Sequence, residues 1–329
     1  MSSKASRVFA AALFLSLSAS IACEQSANAT SSSEDAKPLS RQTIPADTQA
    51  QPAPAAEKTK ALQPGAVGQR TSAARAHPAK PSAATEEFKP VVGQAGKDVV
   101  WVPTPQPLVD RMLDMANLTR NDIHFDLGSG DGRTVITAAK RGAKSTGVEY
   151  NPEMVAFSRR VAHQEGVGGK ATFVEGDIFK TDFSNATVIT LFLLADLNLK
   201  LRPTILKMKP GTRVVSNTFT MGEWQPDQTE RVSEAEGCTA YCTAYLWIVP
   251  ARVEGRWRLP DGELVLTQTF QRVAGTLGAN QAEGTLRGDQ LTLVADNARY
   301  TGRVNGNTMT GRVMNGSSTR AFTATRVGS

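Results

Sequence analysis

The run Asp126-Leu127-Gly128-Ser129-Gly130-Asp131-Gly132 holds the residues of this chain best suited to cradle a ligand. Three closely spaced glycines let backbone N–H groups approach a bound molecule without a Cβ in the way. The spacing is GxGxG, unlike the GxGxxG of dinucleotide turns, which argues against a nicotinamide oxidoreductase. Glu149 stands about twenty residues further on, where a carboxylate can accept hydrogen bonds from both hydroxyls of a ribose. Its competing role is an ordinary acid at the start of the helix that follows Asn151-Pro152-Glu153.

Such residues need a strand to carry them and a helix to stop against. Residues 122–127 read as the central, mainly apolar strand of a parallel sheet, and ligands bind at the carboxyl ends of such strands. Val135, Ile136, Ala138 and Ala139 give the next helix its inner face, and 144–150 forms a second strand. Asn151 and Pro152 fit an N-cap and first-turn proline for a helix over 153–165, with Met154, Val155, Phe157 and Val161 turned to the sheet. Residues 171–175, 186–194, 212–216, 228–232 and 239–249 supply further strands, with helices over 106–115 and 199–208. Between 216 and 239 only the short strand intervenes, where an alternating α/β pattern would place another helix.

The glycine run resembles the first motif of class I S-adenosylmethionine (SAM)-dependent methyltransferases, and residues 98–250 follow their order of elements. The resemblance implies an α/β, Rossmann-like sheet with helices on both faces, and SAM as cofactor. Val102-Pro103-Thr104-Pro105, the DLGSGDGR run and Leu193-Leu194-Ala195-Asp196-Leu197-Asn198-Leu199-Lys200-Leu201-Arg202-Pro203 are similar to a subgroup that includes protein-lysine methyltransferases. By that resemblance the cofactor is held by Thr104, Asp126, Gly128, Ser129, Gly130, Asp131, Gly132, Glu149, Asp177 and Ile178. Glu149 would lie at the ribose, Asp177 at the adenine edge and Ile178 against the ring. Thr104 would meet the methionine end, or cap the 106–115 helix with Pro105 at its first position.

Methyl transfer from a sulfonium asks a protein mainly to align donor and acceptor by in-line displacement. The acceptor is a protein or a small molecule, and a lysine must arrive as the neutral amine. Asp196, Asn198, Asn217 and Trp224 fall beside the expected methyl group. Asp196 alternatively caps a helix, and Trp224 either stacks on an acceptor stem or closes the core. His124 reads as structural, and three histidines in the whole chain give a metal cluster no support.

The chain's ends have other jobs. Lys4 and Arg7 precede an apolar core over 8–17, and Ala27-Asn28-Ala29 matches a signal-peptidase site, so 1–29 reads as a signal peptide. Cys23 after Ser20-Ile21-Ala22 offers a second reading, a lipoprotein cysteine tethering the chain to a membrane. The protein is then exported, periplasmic or membrane-anchored, and cytoplasmic if the signal is not used. Residues 30–97, rich in Ala, Pro and Ser, read as a disordered linker. Cys238 and Cys242 are too far apart to pair along one extended strand, whereas an oxidising compartment favours a disulfide loop, and both readings stand.

Residues 251–329 change to short alternating runs with turn signals at Asp261-Gly262, Gly288-Asp289, Asn305-Gly306 and Asn315-Gly316. They predict a small all-β antiparallel meander or barrel of about seven strands. The net charge of +6 is spread over arginines that alternate with strand residues, so nucleic acid is not the expected partner. Export also sets a rival to catalysis. A SAM-binding or partner-binding protein on a methyltransferase scaffold would need no steady cofactor supply.

Overall fold

The computed structural model describes residues 87–328; the signal-like segment, Cys23 and most of the Ala/Pro-rich stretch lie outside them. Within the described part, five parallel strands form the sheet's first half: β1 (Ile123–Leu127), β2 (Lys144–Glu149), β3 (Ala171–Glu175), β4 (Val188–Leu191) and β5 (Arg213–Asn217). β6 (Gln228–Arg231) and β7 (Thr243–Ile248) complete it in the order β3-β2-β1-β4-β5-β7-β6, with β7 antiparallel to both of its neighbours, β5 and β6. Helices α1 (Gln106–Met115), α2 (Arg133–Lys140), α3 (Pro152–Gln164) and α4 (Ala195–Ile205) cover it. Among the described residues no helix separates β5 from β6.

The local signals act largely as the residues predict. Asn151 caps α3, its Oδ1 accepting from Glu153 N at 2.9 Å, with Pro152 at the first position. Met154 and Val155 are buried beneath that helix, while Phe157 is half-buried and meets Phe88 edge-on. Two boundaries shift. Pro105, not Thr104, caps α1, and α4 begins at Ala195 instead of 199 because Leu194 turns extended and Asp196 suits the helix's positive N-terminus. Residues 87–97 are also no loose linker. Glu87 pairs with Arg160 at 2.7 Å, and Ala95 bridges Val100 in a strap that Trp101 closes, its N–H donating to Gln94 O.

Beyond the sheet, β8 (Gly255–Leu259), β9 (Gly262–Thr269), β10 (Arg272–Leu277), β11 (Asn280–Arg287), β12 (Gln290–Ala295), β13 (Ala298–Asn305), β14 (Thr308–Asn315) and β15 (Ser318–Arg326) form a closed barrel. It has eight strands, not about seven. The runs of β11 and β14 hide their alternation because each places only two apolar side chains inside, Ala282 with Leu286 and Met309 with Val313, around a central glycine. β15 closes on β8 through Thr325 opposite Arg258. Inside, Trp257, Leu264, Leu293 and Phe322 fill the barrel, and strand arginines such as Arg299 and Arg312 face solvent. The barrel is seated on the sheet by its Phe270 turn, whose ring stacks on Trp224 at 5.9 Å and 13°.

Candidate functional site

At the carboxyl end of β1 the chain breaks into the glycine turn, and a cavity of about 240 Å³ opens beside it. Thr104, Asp126, Gly128, Ser129, Gly130, Asp131, Glu149, Asp177 and Ile178 all line it. Gly130 has φ of +53°, and a Cβ there would fall 2.4 Å from Trp101 Nε1, so the strap lies directly on the turn. Gly132 is the exception among the expected residues. It caps α2, and its missing Cβ makes room for Phe173 and Ser158, at 2.6 and 2.8 Å, so it packs helix on strand and does not line the cavity.

Glu149 sits at the tip of β2. Its Oε2 accepts from Gly130 N at 2.9 Å and its Oε1 from Asn151 N at 3.0 Å, which fixes the carboxylate while each oxygen keeps a free lone pair. Asp177 accepts from Phe179 N at 2.9 Å and from Lys97 Nζ at 2.8 Å. The Lys97 ammonium holds that carboxyl below its ordinary range. Asp131 is clamped by Arg133, whose Nη1 also donates to Thr104 O at 3.0 Å, and Asn217 Nδ2 donates to Thr104 Oγ1 at 3.3 Å. The approach segment is thus pinned from two sides. Lining charges comprise Asp98, Asp126, Asp131, Glu149 and Asp177 against Lys97 and Arg133, an acidic surplus suited to a cationic ligand.

Under the turn runs a buried chain of polar groups. Thr190 Oγ1 donates to Asp126 Oδ1 at 2.6 Å, His124 Nε2 lies 2.8 Å from Thr190 Oγ1, and His124 Nδ1 lies 2.6 Å from Ser145 Oγ. With Asp126 ionised, Thr190 must donate to it, so His124 donates through Nε2 and accepts from Ser145. Burial pushes the Asp126 carboxyl up to about 7 and the His124 ring down to about 3. An unfolded Asp126 loses its proton near 3.8, so the folded state binds more protons from there up to about 7, and this residue's contribution to stability falls as pH rises through that window. Asp126→Asn should therefore gain on the wild type progressively from about pH 4 to about pH 7, by on the order of 4 kcal/mol at most, and no further above. Denaturant titrations at three pH values check this; a pH-independent difference would contradict it.

The residues expected beside the methyl group separate. Asp196 lies exposed in the first turn of α4, outside the cavity lining. Asn198 is fully buried, its Nδ2 donating to Phe219 O at 3.1 Å and Thr220 O at 3.3 Å. Asn217 is also buried and serves Thr104. Trp224 closes the core between Trp247 and Phe270, because the β5–β6 connection turns it towards the barrel and away from the cavity. In their place the cavity is lined by Trp101, Tyr150, Phe192, Phe219 and Tyr241. Of these, only Trp101 carries a usable signal in the sequence, its place next to the Val102-Pro103-Thr104-Pro105 segment. Cys238 and Cys242 form a disulfide, their Cα atoms 5.8 Å apart across a turn instead of along an extended strand.

Comparison with known proteins bears on this arrangement. The family described as ANTKMT methyltransferase domain matches residues 126–228. A protein-lysine N-methyltransferase of Saccharolobus islandicus (strain REY15A) is 42% identical over 154 residues, 46% of this chain and 94% of that protein. The adenine nucleotide translocase lysine N-methyltransferase of Mus musculus is 33% identical over 103 residues, 31% of this chain and 45% of that protein. Among solved structures, an RNA methyltransferase from Salinibacter ruber in complex with S-adenosyl-L-homocysteine is 45% identical. It is covered over 96% of its length by 46% of this chain, with a TM-score of 0.43.

Proposed function

Since the chain belongs to the class I SAM-dependent methyltransferases, in the family of the protein-lysine N-methyltransferases, we propose that it methylates the ε-amine of a protein lysine by in-line displacement. The observation that carries this reading is the donor set of the cavity. Asp126, Glu149 and Asp177 stand at the tip of β1, at the tip of β2 and just past β3, and all three line one cavity. Three carboxyl groups so spread match a ligand that presents an ammonium with a sulfonium, a ribose diol and an exocyclic amine.

SAM brings an activated methyl group on its sulfonium. Glu149 would hold the ribose through its free lone pairs, with Asp177 at the adenine edge and Ile178 along the ring. Thr104, pinned by Asn217 and Arg133, would face the methionine end. The strap of Lys97 and Trp101 covers the turn and keeps water from it. The lysine's proton leaves to solvent, so the chain needs no strong base at the acceptor side.

We place the enzyme outside the cytoplasm. The Cys238–Cys242 disulfide fits an oxidising compartment, as does the signal-like start of the chain. That placement favours a second reading, an exported SAM-binding protein without turnover, because SAM is made in the cytoplasm. Tritiated SAM incubated with the purified full chain and separated envelope and cytosolic proteins discriminates them. Incorporation into envelope proteins supports the enzyme; cofactor binding without label in any fraction supports the scaffold.

A further inference from the structure

We propose that Phe192, Phe219 and Tyr241 form the passage that receives the acceptor's lysine stem, and that the Cys238–Cys242 disulfide holds Tyr241 in that passage. The proposal rests on the lysine reading above and specifies its acceptor side.

The three rings come from separate parts of the chain to one place. Phe192 directly follows β4, Phe219 lies two residues beyond β5, and Tyr241 sits in the loop before β7. Phe192 stacks with Phe219 at 6.2 Å between centroids and meets Tyr241 edge-on at 5.4 Å. All three line the cavity of the glycine turn. Leu193, beside Phe192, comes within 3.0 Å of where a Gly128 Cβ would stand, so this aromatic wall abuts the cradle.

Its exposure suits reception better than packing. Tyr241 is 45% exposed, and Phe192 and Phe219 are half-buried, whereas the core tryptophans are fully enclosed. Aromatic faces offer the four methylenes of a lysine an apolar lining and its ammonium a cation–π contact on the way in. Two anchors fix the geometry. Asn198 holds the backbone of Phe219 and Thr220, which makes it a positioning residue. Tyr241 carries φ of +56°, a conformation that bulky residues adopt only where the surroundings impose it, and the disulfide closes the turn around it.

The test uses n-butylamine as a stand-in for the lysine stem, titrated into the full chain loaded with S-adenosylhomocysteine and followed by saturation-transfer NMR. Wild type should bind it; Tyr241→Ala should bind roughly fivefold more weakly, and Tyr241→Phe as the wild type does. Cys238→Ser combined with Cys242→Ser should match Tyr241→Ala. Dithiothreitol should do the same, giving two electrons and two protons to the disulfide, which becomes two thiols as the reagent closes to its cyclic disulfide. SAM affinity should fall less than butylamine binding in every case, since Asp126, Glu149 and Asp177 take their hydrogen bonds from residues other than Tyr241 and the two cysteines. No butylamine binding by the wild type, unchanged binding by Tyr241→Ala, or an equal loss of SAM affinity would overturn the proposal. The lysine reading fails by a different result, the absence of methyl-lysine from reaction products while butylamine still binds.

Discussion

Glu149→Ala is expected to lower SAM affinity by at least roughly a hundredfold, because it deletes a carboxylate prepared for two hydroxyl donors, each charge-assisted bond contributing about 1.5–3 kcal/mol. The loss has a second component. Glu149 also accepts from Gly130 N and Asn151 N, so its removal loosens the glycine turn and the start of α3 together. Glu149→Gln separates the two effects, since one amide oxygen can still accept while the charge is gone. Its affinity should fall between the other two. Isothermal titration with the full chain measures all three, and a change of less than about threefold for Glu149→Ala would remove the residue from the site.

Trp224→Ala is expected to destabilise the protein by about 3–5 kcal/mol, the range for emptying a fully buried large aromatic. The indole touches no solvent; it stacks on Phe270 of the barrel and packs against Trp247, whose Nε1 donates to Trp224 O at 2.7 Å. Truncation therefore opens the seam between sheet and barrel, where Gln271 Nε2 also donates to Gln225 O at 2.8 Å. Urea unfolding should show the lost stability, with SAM affinity retained at low denaturant. A raised acceptor KM with unchanged stability would instead return Trp224 to the acceptor side.

These two residues also mark what the amino-acid sequence discloses and what it withholds. The place of Glu149 in the cavity wall is legible because it follows from local order: a strand, a glycine turn, a helix, a second strand and an acid at its tip. Asp177 and Ile178 reach the same wall just past the third strand, a position that the family resemblance singles out. Trp224 is ambiguous in the sequence because its partner Phe270 is far along the chain and becomes a neighbour only when the barrel seats on the sheet. The same distance problem hides Lys97, which meets Asp177 across 80 residues, and leads composition to assign residues 87–97 to the linker. Gly132 errs in the other direction. It shares the glycine run, yet its missing Cβ serves Phe173 and Ser158 of the neighbouring elements, a packing need indistinguishable in sequence from a ligand need.

The aromatic wall shows the limit most clearly. Phe192 reads as one more apolar residue at a strand end, Phe219 as a loop residue, and Tyr241 as a residue between two cysteines. Only their convergence at the carboxyl ends of β4 and β5, with the disulfide turn beside them, gives them a common surface. The barrel is legible as a class from its paired turn signals. Its strand count is not, since β11 and β14 each bury two apolar side chains around a glycine.

Mass spectrometry of proteins treated with the full chain and SAM bearing a trideuterated methyl group identifies the atom that is methylated. The labelled methyl is expected on lysine ε-nitrogens, and it should be lost when Glu149→Ala replaces the wild type. Label on another residue type, or no label from a protein that demonstrably binds SAM, would contradict this expectation.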